Sequence, residues 1–278
     1  MANLTGTDGP DTIRGTLEDD IITGRKGDDE LYGEHGGDLI NGRAGEDLLV
    51  GDLGNDRLHG GAGNDRMFGG EGDDRMWGDA GNDEMHGDEG SDILLGRDGN
   101  DELWGDNVAG WPDDGRPNPH GNDVLIGGIG DDILHGGEGR DTMIGNHGAD
   151  IFQFDFQIDP QLSDDGRLSH ASTTIADFVR GVDKLVITQQ TNEMPAEGPP
   201  EVITFHAITF DDLDTDDSGQ IDGLDAATDV IGGNLAIDVY QLGTVSGFPA
   251  FDMYFGGTIT LQGVTELRQA DLTYQAIQ

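Results

Sequence analysis

Residues 60–79 read GGAGNDRMFGGEGDDRMWGD, close to one nine-residue phrase said twice. Gly60-Gly61-Ala62-Gly63-Asn64-Asp65-Arg66-Met67-Phe68 is followed at once by Gly69-Gly70-Glu71-Gly72-Asp73-Asp74-Arg75-Met76-Trp77. In steps of nine, the phrase begins at Gly6, Gly15, Gly24, Gly33, Gly42 and Gly51 on one side and at Gly78, Gly87 and Gly96 on the other. It resumes at Gly105 with an insertion and continues at Gly127, Gly136 and Gly145, fifteen units in all. The sixth position is aspartate in every unit: Asp11, Asp20, Asp29, Asp38, Asp47, Asp56, Asp65, Asp74, Asp83, Asp92, Asp101, Asp123, Asp132, Asp141 and Asp150. The eighth is always apolar, from Ile13 and Ile22 through Met67, Met76 and Met85 to Met143 and Phe152. The fourth is glycine except at Glu18, and the second is glycine only at Gly61, Gly70, Gly128 and Gly137.

Each position has a physical task. One apolar residue between two variable ones is a three-residue strand with a single inward side chain. A strand that short is not stable alone, so units must stack to bury a continuous core. The other six residues reverse the chain, and glycine there permits positive φ and close backbone approach. Tight turns leave carbonyl oxygens pointing inward without a ladder partner, and such oxygens need a donor or a metal. An aspartate in every turn sets carboxylates beside them. A flexible cage of about six to eight hard oxygens suits Ca²⁺ better than Mg²⁺, which demands octahedral geometry and keeps its waters.

Composition points the same way. The 278 residues carry a formal charge of −43, from 57 acidic and 14 basic residues, and only 34% are apolar. Such a like-charge excess favours disorder unless it is neutralised. The 48 glycines are ordered rather than scattered, which argues against a plain linker. Nucleic acid is excluded as a partner, since binding it needs a positive surface; cations are the obvious one. The absence of cysteine excludes disulfide staples and thiol chemistry. Met1-Ala2-Asn3-Leu4-Thr5-Gly6 has neither a basic start nor an apolar run, so no secretory signal peptide is expected there. No stretch approaches the ~20 apolar residues of a spanning helix.

The G-G-x-G-x-D-x-U-x pattern over residues 6–153 resembles the RTX (repeats-in-toxin, hemolysin-type calcium-binding nonapeptide repeat) family. The resemblance implies an all-β protein whose repeats form a parallel β-roll, with two repeats per coil, two facing sheets, and Ca²⁺ between successive turns on the same edge. Sixth-position aspartates of repeats n and n+2 would share each ion, Asp56 with Asp74 and Asp65 with Asp83. Main-chain carbonyls near the glycines, such as those of Gly60, Ala62, Gly69, Glu71, Gly78, Ala80, Gly87 and Glu89, would complete the cages. About a dozen ions are expected, and free Ca²⁺ at ten times Kd would add about 1.4 kcal/mol per site. Extracellular calcium modules commonly have Kd values of ~0.1–1 mM, so the chain would be open in a low-calcium cytosol and folded outside. The resemblance also implies a bacterial, extracellular protein. It would leave as an unfolded chain through the type I secretion apparatus, guided by an uncleaved C-terminal signal.

The remaining segments are read in the same way. Residues 108–120, VAGWPDDGRPNPH, interrupt the repeats with the frame intact on both sides. They form a surface insertion, or a loop whose Trp111, Arg116 and His120 touch a partner. Positions seven and nine face outward. Tyr32, Val50, Phe68, His86, Trp104 and His135 share position nine on one sheet and fall ~4.8 Å apart in a row. Such a row binds glycan or a surface protein, or serves outer-face packing and self-association. Tyr32, Phe68, Trp104 and Trp111 are the candidate partner-binding residues. No outward position repeats Thr or Asn, which argues against an ice-binding face. The eight histidines share no spacing, and most are read as surface residues.

The repeat domain is assigned to residues 1–153 and a β-rich capping region with the secretion signal to residues 154–278. IFQFDFQI (151–158) alternates like a strand. Ile175-x-Asp177-Phe178-x-x-Gly181-x-Asp183-x-Leu185 resembles the closing motif of RTX exoproteins, and GGTITLQGVTELRQADL (256–272) their tail. With five residues before the first repeat, the N-terminal end looks poorly capped. Residues 214–225 fit the EF-hand loop, with ligands Asp214, Asp216, Ser218, Gln220 (by its carbonyl), Asp222 and Asp225 around the turn at Gly219. It departs from that loop at Ser218 and in having Asp225 where a bidentate Glu is usual. No His-Glu-x-x-His, Gly-x-Ser-x-Gly or nucleophile–base pattern is present. The expected function is a secreted, non-enzymatic calcium-binding scaffold. The alternatives are an adhesin or surface-layer component, the C-terminal module of a larger exoenzyme, a small membrane-active RTX protein, and an enzyme with an unrecognised site in 154–278. No long apolar or amphipathic helix supports membrane activity.

Overall fold

The structure is a computed structural model that describes residues 1–106, 121–137, 139–158, 173–180, 182–192, 203–207, 228–231, 234–238, 258–262 and 264. Among these residues there is no helix, and the chain divides into two compact units, residues 1–150 and 151–278. The first unit is a parallel β-roll. Strands β1 (Asn3–Thr5), β3 (Ile21–Lys26), β5 (Leu39–Ala44), β7 (Arg57–Ala62), β9 (Arg75–Ala80), β11 (Ile93–Asp98), β13 (Val124–Ile129) and β15 (Thr142–His147) stack in that order as one sheet. Strands β2 (Thr12–Arg14), β4 (Glu30–Tyr32), β6 (Leu48–Leu53), β8 (Arg66–Glu71), β10 (Glu84–Glu89), β12 (Glu102–Trp104) and β14 (Ile133–His135) form the other. These are called the odd and even sheets below. The chain alternates between them, so each coil is two repeats and Leu58 pairs with Met76, Met67 with Met85.

The eighth-position residues from Ile22 to Phe152 are fully buried, while their neighbours on either side, His135 excepted, are half-buried or exposed. This period-two alternation is what a half-buried strand requires. The core is therefore two files of single side chains, thin for its length.

Three details differ from the expectation. Most strands run six residues rather than three, because pairing resumes after the first-position glycine: Gly61 pairs with Asp79 and Ala62 with Ala80. The second position turns left-handed and lets the third rejoin the ladder. Glycine holds that conformation at Gly61, Gly70, Gly128 and Gly137, but so do Arg25, Glu34, Arg43, Asp52, Asp79, Asp88, Arg97 and Asn146. Second, a rung precedes the first glycine: in β1, Leu4 lies opposite Ile22 and takes an eighth-position seat. The Met1 ammonium meets Glu18 at 2.5 Å and the Ala2 N–H donates to Asp20. Third, the strands flanking the insertion keep their register, with Ile93 opposite Val124 although thirty-one residues separate them instead of eighteen. Residues 108–120 themselves, with Trp111, lie outside the described residues.

The second unit is β-rich. Strand β16 (Ile151–Ile158) pairs in parallel with β18 (Lys184–Asn192), which pairs antiparallel with β19 (Ile203–Ala207). Strand β17 (Thr173–Ile175) pairs in parallel with β22 (Thr258–Leu261); β22 continues antiparallel to β21 (Asn234–Asp238) and β21 to β20 (Thr228–Ile231). The closing motif packs inward: Ile175 and Leu185 are fully buried, and Phe178 meets Phe152 at a ring distance of 6.0 Å. The Val179 N–H donates to Asp183 Oδ2 at 2.7 Å.

Candidate metal centre

From Asp20 onward every sixth-position aspartate is buried. From Asp29 on, each uses Oδ1 to accept the backbone N–H of the corresponding aspartate one coil earlier, and Asp20 accepts that of Ala2. Asp56 donates to Asp74 at 2.7 Å and Asp65 to Asp83 at 2.8 Å, the two pairs expected from the sequence. The ladder crosses the insertion unbroken, with the Asp92 N–H on Asp123 Oδ1 at 2.8 Å.

The second carboxylate oxygen has a different fate. In Asp29, Asp38, Asp47, Asp56, Asp65, Asp74, Asp83, Asp92, Asp101, Asp123 and Asp132, Oδ2 is buried and has no hydrogen-bond partner among the described residues. It points to the first-position glycine of its own repeat. A Cβ on Gly69 would sit 2.6 Å from the Gly87 carbonyl oxygen and closer still to Asp74 Oδ2; on Gly51 it would sit 2.5 Å from the Gly69 oxygen, beside Asp56 Oδ2. Gly42 is placed likewise between Asp47 Oδ2 and the Gly60 carbonyl, and Gly78 between Asp83 Oδ2 and the Gly96 carbonyl. The first-position glycine thus leaves open a cradle where a carboxylate oxygen and a carbonyl oxygen of the next coil come together. A buried oxygen without a donor is costly unless something positive faces it.

The third-position carbonyls are placed otherwise. Ala62, Glu71, Ala80 and Glu89 each accept a fourth-position N–H, from Gly45, Gly54, Gly63 and Gly72, at 2.7–2.9 Å. The expectation that turn carbonyls lack ladder partners is corrected at these four residues, because the strands extend through position three. Asp11 and Asp20 also stand apart. Asp11 Oδ2 accepts the Thr7 N–H at 2.5 Å and the Thr7 hydroxyl at 2.9 Å; Asp20 Oδ2 accepts the Thr16 N–H at 2.7 Å. Threonine is β-branched and resists the left-handed conformation that position two adopts elsewhere. Its N–H turns to the carboxylate instead, so these two carboxylates are satisfied by the chain itself.

Burial governs the electrostatics. Desolvation pushes Asp38, Asp47, Asp56, Asp83 and Asp132 up to about 6, against the opposing hydrogen bond from the coil before. It pushes Asp65, Asp92 and Asp101 up to about 7, Asp74 to about 8 and Asp123 to about 9. Like charges contribute further: Asp92 and Asp56 raise Asp74, and Asp106 and Asp141 raise Asp123. Asp20 is lowered, by the Ala2 N–H first. These carboxylates face one another across the coils without the counter-charge that would keep them ionised. Among the described residues no three carboxylates or imidazoles converge on one point. A cage here must take part of its oxygens from the main chain. The donors are all hard oxygens, so the residues fit a calcium ion.

The position-nine row is present in the expected register, Tyr32–Val50–Phe68–His86–Trp104–His135. Its rings stack face to face: Phe68 on His86 at 5.0 Å, His86 on Trp104 at 5.9 Å and Trp104 on His135 at 3.5 Å, with interplanar angles of 6–10°. The Arg14 guanidinium covers Tyr32 at 4.0 Å. The row therefore turns ring edges outward and covers the ring faces. Among the described histidines His135 is the buried exception to the surface reading of most; its seat at position nine was the available signal.

A second ladder escaped the sequence reading. Asn64 Oδ1 accepts the Asn82 N–H at 2.8 Å, Asn82 that of Asn100 at 2.9 Å, Asn100 that of Asp131 at 3.0 Å and Asp131 that of Ala149 at 2.8 Å. The recurrence of Asn, Asp and Ser at position five was its signal. The EF-hand-like ligands Asp214, Asp216, Ser218, Gln220, Asp222 and Asp225 lie outside the described residues.

Fold and site together define a class: a parallel β-solenoid that arrays acidic oxygen sites between its coils. The profile of the RTX calcium-binding nonapeptide repeat (four copies) matches residues 5–40, 36–58, 41–76, 50–85, 77–108 and 121–152. Residues 5–108 and 121–152 are RTX repeats, and the chain is an RTX-repeat protein. Among solved structures it is similar to the extracellular lipase LipA from Serratia marcescens, with a TM-score of 0.38 and 17% identity. That match covers 97% of this chain and 40% of the lipase chain, so the chain spans well under half of that protein. No curated protein matches the chain.

Proposed function

We propose that this RTX chain folds on binding Ca²⁺ along both edges of its roll, and that it works outside the cell as a non-enzymatic scaffold after type I export. The observation that carries the reading is the set of eleven buried Oδ2 atoms without a hydrogen-bond partner, each beside a glycine cradle. Eleven roll sites follow, beginning at Asp29, rather than one for every pair of turns. Asp11 and Asp20 keep a structural role through threonine. The net charge of −43 favours an open chain in the absence of cations, which is the form an export channel needs. A glycan-binding reading of the aromatic row draws less support, because its ring faces cover one another.

Calcium titration followed by native mass spectrometry and circular dichroism tests the proposal. The β-sheet signal should rise together with the count of bound ions, saturating near eleven for the roll. A fold that forms at neutral pH with no bound calcium would refute it.

A further inference from the structure

The two outer faces of the roll carry opposite charge. On the central strands of the odd sheet, β5 to β11, stand Arg43, Arg57, Arg75 and Arg97 against Asp79 and Asp98. On β6 to β12 of the even sheet, Asp52, Glu71, Glu84, Asp88, Glu89 and Glu102 stand against Arg66 alone. In a chain of net charge −43, a face on which basic residues outnumber acidic ones is a large local departure. The side chains are on the outer surface: Arg97 reaches Asp79 at 3.2 Å, beside His59, and Arg57 and Arg75 are exposed. Arg57 and Arg75 pair directly across adjacent strands, like charge beside like. Neither they nor Arg43 make an ion pair or a side-chain hydrogen bond among the described residues. On the acidic face Glu84 likewise lies directly opposite Glu102 at the same repeat position, although Glu84 is also paired with Arg66 at 2.9 Å.

We infer that the odd-sheet face docks on the even-sheet face of a second copy of this chain. Both faces repeat at the spacing of stacked strands, ~4.8 Å, so the step from Arg57 to Arg75 matches the step from Glu84 to Glu102. The seven six-residue strands of the odd sheet make a face of about 29 by 20 Å, and two such faces bury ~1,200 Å² in total, the lower end of a standard specific interface. Because the two surfaces differ, the contact is heterologous and extends into open stacks rather than closing as a dimer. The faces exist only on the folded roll, so this inference rests on the calcium reading above.

The test is sedimentation velocity of the full chain in millimolar calcium, with circular dichroism reporting the fold in the same samples. Wild type is expected to form multimers that dissociate in molar salt. Arg57→Glu with Arg75→Glu should weaken assembly at least about tenfold, and so should Glu84→Lys with Glu102→Lys. Glu84→Gln with Glu102→Gln should have a smaller effect in the same direction. Mixing the two charge-reversed chains should restore assembly, because each face of one chain then meets the opposite charge on the other and the two alternate along the stack. A folded wild type that stays monomeric overturns the inference and leaves the calcium reading standing. So do multimers indifferent to reversal of the arginine pair, and so does a monomer whose arginine face binds heparin or anionic vesicles instead.

Discussion

The aspartates of this roll divide by what their second oxygen meets. Asn at position 74 would keep the Oδ1 acceptor and remove the charge. Asp74→Asn should therefore leave the ladder in place, lower the ion count by one or two in native mass spectra, and raise the calcium needed for folding. Asp11→Asn, where Thr7 already satisfies the carboxylate, should leave the count unchanged. Glycine is required for separate reasons at two positions. At Gly63, φ is +136° and a Cβ would overlap the Gly45 carbonyl oxygen, so Gly63→Ala should cost at least about 2 kcal/mol in urea unfolding under calcium. Arg43 holds φ at 78° in a seat that glycine fills at Gly61, so Arg43→Gly should gain about 0.5–1 kcal/mol in the same assay. The sequence displayed the first requirement as a constant fourth position. It hid the second, because most residues at position two tolerate the left-handed strain.

At the scale of the strand, stacking makes rows out of single residues. Trp104 lies between His86 and His135, and each stacked pair is worth about 0.5–1.5 kcal/mol beyond burial. Trp104→Ala should lower stability in saturating calcium by about 1–3 kcal/mol by urea unfolding, with no change in ion stoichiometry. The repeat made the register legible: fixing Leu58 and Met76 at position eight places His59 beside Trp77 without further information. It did not give the tilt of the rings, which follows from a separation near their own thickness. Nor did it give strand length, because the re-entry of Ala62 into the ladder depends on a left-handed Gly61 that a periodicity of apolar residues does not record. The roles of Asp11 and Asp20 were hidden for a similar reason. They match the repeat in letter, and only Thr7 and Thr16, each four residues earlier, mark them as different.

For the whole molecule, the dominant fact is a fold that buries carboxylates without cations of its own. The raised values of Asp65, Asp74, Asp92, Asp101 and Asp123 mean that the folded, metal-free roll takes up protons that an open chain at neutral pH does not. Their contribution to stability is fully present below the ordinary carboxylate value and is lost as pH rises through about 7 to 9. Acid should therefore substitute in part for calcium. In chelator, circular dichroism and sedimentation should report more compact β-structure at pH 5 than at pH 8, and a flat response would contradict the burial of these groups. The two files of apolar side chains are thin, and the ions are expected to supply what a wider core supplies elsewhere. The most direct measurement is therefore circular dichroism with small-angle scattering on the purified chain at neutral pH, in millimolar calcium and after exhaustive chelation. The account expects a compact, strand-rich particle in calcium and an expanded coil in chelator; the same compact particle in both would contradict it.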